Sequence, residues 1–109
     1  MTTYAEILSA VATYRGVDPE NIAAHSRKAV LAGPRHEVAY LARTRARMSL
    51  PQIADKLNRH HTSVMYAIAA VEDRLDDFEY KADFDRMCLM LTPEFIRTGA
   101  LTFKSVRGA

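Results

Sequence analysis

From Ser49 to Leu75 the apolar positions fall into two separate helical periods. Leu50, Ile53, Ala54 and Leu57 occupy the i, i+3, i+4 and i+7 positions of one face. Ser49 stands where an N-cap is needed, and Pro51 falls in the first turn, where a missing N–H is harmless. Asn58, Arg59 and His60 then interrupt the period before Val64, Ile68, Val71 and Leu75 begin a second stripe. This predicts a short helix, a turn and a longer helix, which is a helix-turn-helix. At about 100° per residue, Thr62 and Tyr66 fall on the side opposite Val64 and Ile68, leaving a polar face at the start of the second helix. A recognition helix needs such a face, because its first turns reach base edges while its back packs on the helix before it. Tyr66 is read either as groove-facing or as a partly buried aromatic.

The same reading carries along the chain. Ile7, Val11 and Tyr14 form one stripe of a helix over 4–15 that closes at Gly16. Asp18-Pro19-Glu20 opens a short second helix that carries Ile22 and is expected to end near His25. A basic connector follows. Ala32-Gly33-Pro34 is taken as a break, so the third helix is expected over 35–47, burying Val38, Leu41 and Ala42. Met48 is expected to contact the core. Beyond Leu75, Phe84, Met87, Cys88 and Leu91 restore a helical stripe, and Thr92-Pro93-Glu94 caps a short last helix before a fraying tail. No period-two alternation and no hairpin signal occurs, so the fold class is all-α.

Composition narrows the function classes. With 109 residues, 49% of them hydrophobic, one domain is expected over 1–109. The single cysteine, Cys88, excludes an internal disulfide and a cysteine-based zinc site, which fits a reducing cytoplasm. No apolar run approaches the roughly 18 residues of a membrane span, and the first residues carry no export signal. Neither a membrane nor a nucleotide partner is expected, since no phosphate-cradling Gly-x-x-x-x-Gly-Lys motif occurs. Net charge is only +2, but it is unevenly spread: 25–47 holds six cations against Glu37, and 72–85 holds seven acids against two cations. A basic half can meet phosphates while the acidic half faces away.

Catalysis and metal binding find little support. His60 and His61 are adjacent, so they point about 100° apart on a helix, and no cysteine or acid lies three or four residues from them as a further ligand. No metal or other cofactor is implied. There is no nucleophile elbow, and Cys88 falls within an apolar stripe, where a thiol is inert. The chain is not read as an enzyme.

Pro34-Arg35-His36, Ser49-Leu50-Pro51-Gln52-Ile53 and His61-Thr62-Ser63-Val64, in that order, make the chain resemble the C-terminal DNA-binding domain of the bacterial replication initiator DnaA. The resemblance covers about Tyr4 to Leu75, so it implies a DNA-binding core over 1–75 and leaves 76–109 as a helical extension, acidic and then apolar. It implies an all-α fold and sequence-specific binding of an A·T-rich asymmetric box in double-stranded DNA. Base contacts are then expected from His60, His61, Thr62 and Tyr66. Ser63, Arg59, Leu50, Pro51, Gln52 and Arg35 are expected to hold or position the backbone, together with Arg27, Lys28, Arg43 and Arg47, with Leu50 and Pro51 lying against a thymine methyl or the backbone. At least one arginine of the run Arg43, Arg45 and Arg47 is expected to be solvated surface.

The departures from that pattern matter as well. The family carries an acid at the position of His60 and a Gly-Gly pair where this chain has Asn58 alone. Gly33 stands where an arginine precedes the proline, and Ala69 and Ala70 stand at positions that are usually basic. Base preference and affinity are expected to differ accordingly. Without the initiator's ATPase portion, a small cytoplasmic, nucleoid-associated regulator of transcription or replication is expected. The competing reading is a helical protein-interaction module that binds DNA weakly. It would use the acidic half or the late apolar stripe, which either packs internally or forms a homodimer or partner surface.

Overall fold

The structure, a computed structural model, describes residues 2–24 and 29–91. These form helices α1 (Tyr4–Arg15), α2 (Pro19–Ala23), α3 (Ala32–Thr44), α4 (Leu50–Leu57), α5 (His61–Arg74) and α6 (Phe78–Cys88). A 3-10 turn over Ala29–Leu31 leads into α3, and another over Leu89–Leu91 follows α6. Among the described residues there is no strand, so the fold is all-α. None of the described helices is long and apolar enough to cross a membrane. The expected last helix after Thr92, the tail, and residues 25–28 with Arg27 and Lys28 lie outside the described residues.

Local chemistry sets most boundaries. The Thr3 hydroxyl accepts the Glu6 N–H while Glu6 accepts the Thr3 N–H, a reciprocal cap that starts α1, and Gly16 ends it in the left-handed region at φ 71°. Asp18 caps α2 with Pro19 in its first turn. Asp77 accepts the N–H groups of Glu79 and Tyr80 and so starts α6.

Helix α3 departs from the expected bounds at both ends. It begins at Ala32, not Arg35, and takes Gly33 and Pro34 into its first turn. The first N–H groups of a helix have no carbonyl within the helix to bond, so proline there costs no hydrogen bond. It ends at Thr44, not Arg47. The Arg45 and Ala46 N–H groups both fold back to the Leu41 carbonyl, and Met48 N–H bonds the Ala42 carbonyl. Arg47 is left-handed at φ 55°. This reversal tucks Met48 against the core and delivers Ser49 to the start of α4.

Helix α3 is the centre of the packing and touches α1, α2, α4 and α5. Ile7 and Val11 of α1, Ile22 of α2, Val38 and Leu41 of α3, Ile53 and Leu57 of α4, and Val64 and Val71 of α5 are fully buried. The late stripe of Phe84, Met87, Cys88 and Leu91 joins this same core, with the Phe84 ring edge-on to Tyr40 of α3 at 5.7 Å. That stripe is therefore covered by the chain's own α1 and α3.

One polar cluster lies between α1, α3 and α6. Glu37, 1% exposed, accepts two hydrogen bonds from the Arg15 guanidinium at 2.9 and 2.6 Å and a third from the Tyr80 hydroxyl at 2.7 Å. Arg15 also bonds Asp83, which accepts the Tyr14 hydroxyl at 2.8 Å. Burial opposes the Arg15 charge, but the hydrogen bonds and charges of Glu37 and Asp83 more than reverse this and raise its pKa. Burial, then the Glu37 hydrogen bond, pushes the Tyr80 phenol up as well.

Candidate nucleic-acid interface

Helices α4 and α5 and the turn between them form the candidate surface. At the start of α4 the Ser49 hydroxyl accepts the Gln52 N–H at 3.3 Å, and Gln52 Oε1 accepts the Ser49 N–H at 2.9 Å. Gln52 thus has its oxygen spent on the cap and its amide group on an exposed residue. Pro51 beside it is exposed, whereas Leu50 is half-buried against the core. The sharp step out of α4 is made by Asn58, left-handed at φ 55° and ψ 46°. Asparagine tolerates that region better than most residues. The Asn58 N–H bonds the Asp55 carbonyl and the Arg59 N–H the Ala54 carbonyl, satisfying the end of the helix. One left-handed residue therefore reverses the chain within the three-residue turn of Asn58, Arg59 and His60.

Helix α5 separates its two tasks by face. Val64, Ala67 and Val71 are buried, and α5 packs along α3. His60, His61, Thr62 and Ser63 are all exposed at its N-terminal end, as is Tyr66 one turn later at 75%. Met65, 52% exposed, joins them, an apolar group suited to a thymine methyl that periodicity alone did not single out. Its signal in the sequence was its place beside Tyr66, off the Val64–Ile68 stripe.

The first turn of α5 is shaped by its histidines. His60 is the N-cap: its Nδ1 accepts the Thr62 N–H at 3.3 Å and lies 3.1 Å from the Thr62 hydroxyl. The His61 ring stacks on it at 4.5 Å, tilted by 32°. Together with Pro51, Asp55, Asn58 and Arg59 these rings line an open groove at the turn. Among the described residues no group of His, Cys, Asp and Glu is placed to share a metal ion.

The basic candidates divide. Arg35 donates from Nε to the Ile22 carbonyl at 2.8 Å and reaches the Asn21 and Ala24 carbonyls at 3.4 Å. Arg59 donates to the Ala24 carbonyl at 2.9 Å and to Asn58 at 3.0 Å. Both guanidinium groups thus converge on the carbonyl end of α2, where cations are favoured. Burial, then the charge of Arg59, lowers the Arg35 pKa. Between them and α5 lies a cleft of about 150 Å³ that also takes in Ser63 and His36. Arg43 is exposed and holds the Met48 carbonyl at 3.0 Å, and Arg47 is exposed in the loop before α4.

Comparison with known proteins agrees with this architecture. Residues 4–71 match the family described as the bacterial DnaA protein helix-turn-helix. The chain is 32% identical over 81 residues to the chromosomal replication initiator protein DnaA 1 of Chlamydia muridarum, covering 74% of this chain and 18% of that protein. It is 39% identical over 69 residues to the chromosomal replication initiator protein DnaA of Thermus thermophilus, covering 62% of this chain and 16% of that protein. Against DnaA 2 of Chlamydia caviae it is 33% identical over 75 residues, which is 69% of this chain and 16% of the relative. The aligned stretch is thus less than a fifth of these relatives.

Proposed function

Since the chain belongs to the bacterial DnaA helix-turn-helix family, we propose that it binds double-stranded DNA sequence-specifically, with the N-terminal end of α5 in the major groove. The observation that carries this is the division of α5. Val64, Ala67 and Val71 hold it on the scaffold while His60, His61, Thr62, Ser63 and Tyr66 are exposed to solvent at its N-terminal end. Hydroxyl and imidazole groups pair with base edges, and the unpaired N–H groups of a helix start, with arginines close by, suit phosphates. His60, His61, Thr62 and Tyr66 are the base-reading side chains on this reading, and Ser63, Arg43 and Arg47 serve the backbone. Arg35 and Arg59 set the entry of α5 by fastening the turn to α2, with phosphate contact across the adjoining cleft.

The biological role that follows is a nucleoid-associated regulator of replication or transcription that binds without catalysis. An adaptor using the late apolar stripe fits less well, because that stripe is already buried.

Fluorescence anisotropy tests this with a labelled duplex carrying the A·T-rich asymmetric box and a scrambled duplex of equal composition, each at low and moderate salt. The box is expected to bind tighter, and both complexes to weaken steeply with salt. His61→Ala and Thr62→Ala are each expected to lose about 1–3 kcal/mol on the box and little on the scrambled duplex. Equal losses on both duplexes, or no binding to either, would overturn the assignment.

A further inference from the structure

The His60 ring is more constrained than an exposed side chain ordinarily is. Its Nδ1 accepts the Thr62 backbone N–H. An N–H group can only donate, so Nδ1 must keep its lone pair, and the single proton of the neutral ring sits on Nε2. The Thr62 hydroxyl, 3.1 Å from the same Nδ1, turns its proton toward that nitrogen. The ring's other face is set by His61 at 4.5 Å. Both ring hydrogen bonds of the described structure therefore use Nδ1, and the tautomer they select presents Nε2–H away from the cap.

We infer that His60 determines specificity at one base pair by acting as a fixed hydrogen-bond donor, selecting guanine and rejecting cytosine. This rests on the DNA-binding reading above and adds the code at one position. In the major groove guanine offers two adjacent acceptors, N7 and O6. Adenine offers N7 beside an amino donor, and thymine offers O4 beside a methyl group. Cytosine offers an amino donor, which would set N–H against N–H. A donor held by the helix start discriminates more sharply than a free one, because its rotation is already fixed by the cap.

Selection from random duplexes followed by titration of single-position variants tests the inference with the full chain, His60→Asp and His60→Ala. Aspartate is a strong N-cap, so one oxygen can take the Thr62 N–H while the other only accepts. The His60→Asp helix is expected to melt no lower than the parent, while its preference inverts from G·C to C·G, or to A·T, at that one pair. Other positions should stay as they were. His60→Ala is expected to lose the preference there. Discrimination of guanine over cytosine should be about 5- to 150-fold in the parent, the range of one mismatched base pair. Identical selected sequences for all three proteins, or a parent that favours cytosine at the position His60→Ala affects, would overturn the inference and leave the DNA-binding reading intact. A parent that enriches no sequence overturns both.

Discussion

Replacing Glu37 by glutamine probes what docks α6 onto the scaffold. The carboxylate is 1% exposed and accepts three hydrogen bonds, two from Arg15 and one from Tyr80. Glutamine keeps the shape and one acceptor oxygen but places an amide NH2 among donors. Each bond to a buried charge contributes about 1.5–3 kcal/mol, and leaving one partner of a buried pair unmatched costs about 3–5 kcal/mol. Asp83 still holds Arg15, which softens the loss. The expected destabilisation is about 3 kcal/mol, a large share of the roughly 5–15 kcal/mol of a small domain. Urea unfolding followed by circular dichroism measures it. Arg15→Met added to Glu37→Gln removes the guanidinium left facing a neutral amide but also takes the ion-pair partner of Asp83, so it should recover only a small part of the loss. The hydrogen bonds of this cluster run among α1, α3 and α6, so DNA affinity measured well below the melting transition should be unchanged. A loss under about 1 kcal/mol would refute the reasoning, because it would mean that the bonds are made equally well to water.

His36 supplies a pH signature. Burial, then the charges of Arg74 and Arg35, outweighs Glu37 and holds its imidazole below the ordinary 6.5, and its Nδ1 is buried with no hydrogen-bond partner among the described residues. The unfolded chain therefore binds that proton more tightly. His36 contributes its stability in full above the unfolded value and loses it as pH falls through the folded value. Urea midpoints between about pH 7 and about pH 5 should drop further for the parent than for His36→Gln, and parallel profiles would sink the assignment. Arg47 offers a backbone test, for its φ of 55° is strained for any residue with a Cβ. Arg47→Gly should raise stability by about 0.5 kcal/mol while Arg47→Ala does not. On the box duplex, each should lower the slope of affinity against salt by about one if Arg47 meets a phosphate.

Much of the architecture was legible because local signals and tertiary packing agree. The Ser49 cap, Pro51, and the stripes of Ile53, Leu57, Val64 and Val71 each point to the same two helices, and the structure places them there. Gly16 and Asp18 likewise mark real boundaries. The start of α3 was hidden because Gly33-Pro34 carries one signal for two situations: the pair ends a preceding helix or fits inside the first turn of the next. Which one holds depends on whether Ala32 can pack, a tertiary fact. The polar cluster was illegible for a related reason. Glu37 and Asp83 were counted among surface charges, and nothing in their spacing announces that Arg15, more than twenty residues before Glu37, will meet both.

The acidic stretch after Arg74 shows how charge pattern and charge function part company. In sequence it looks like one solvated face of −5 character that repels a polyanion. In the fold Asp77 caps α6, Asp83 binds Arg15, and Lys81 pairs with Asp85. The first two of these carboxylates are therefore spent on holding α6 in place, and Asp83 shares the charge of Arg15 with Glu37. Glu72, Asp73, Asp76 and Glu79 stay exposed and keep their charge, so attraction for DNA has to come from the opening of α5. There, Arg35 and Arg59 are fastened to the carbonyl end of α2 and cannot swing freely. Cations already ordered by the scaffold lose little entropy when a phosphate arrives. On that argument the turn gains affinity from preorganisation, although the chain lacks basic residues at Ala69 and Ala70. Freeing Arg59 by shortening α2's carbonyl end should weaken DNA binding even though no charge is lost.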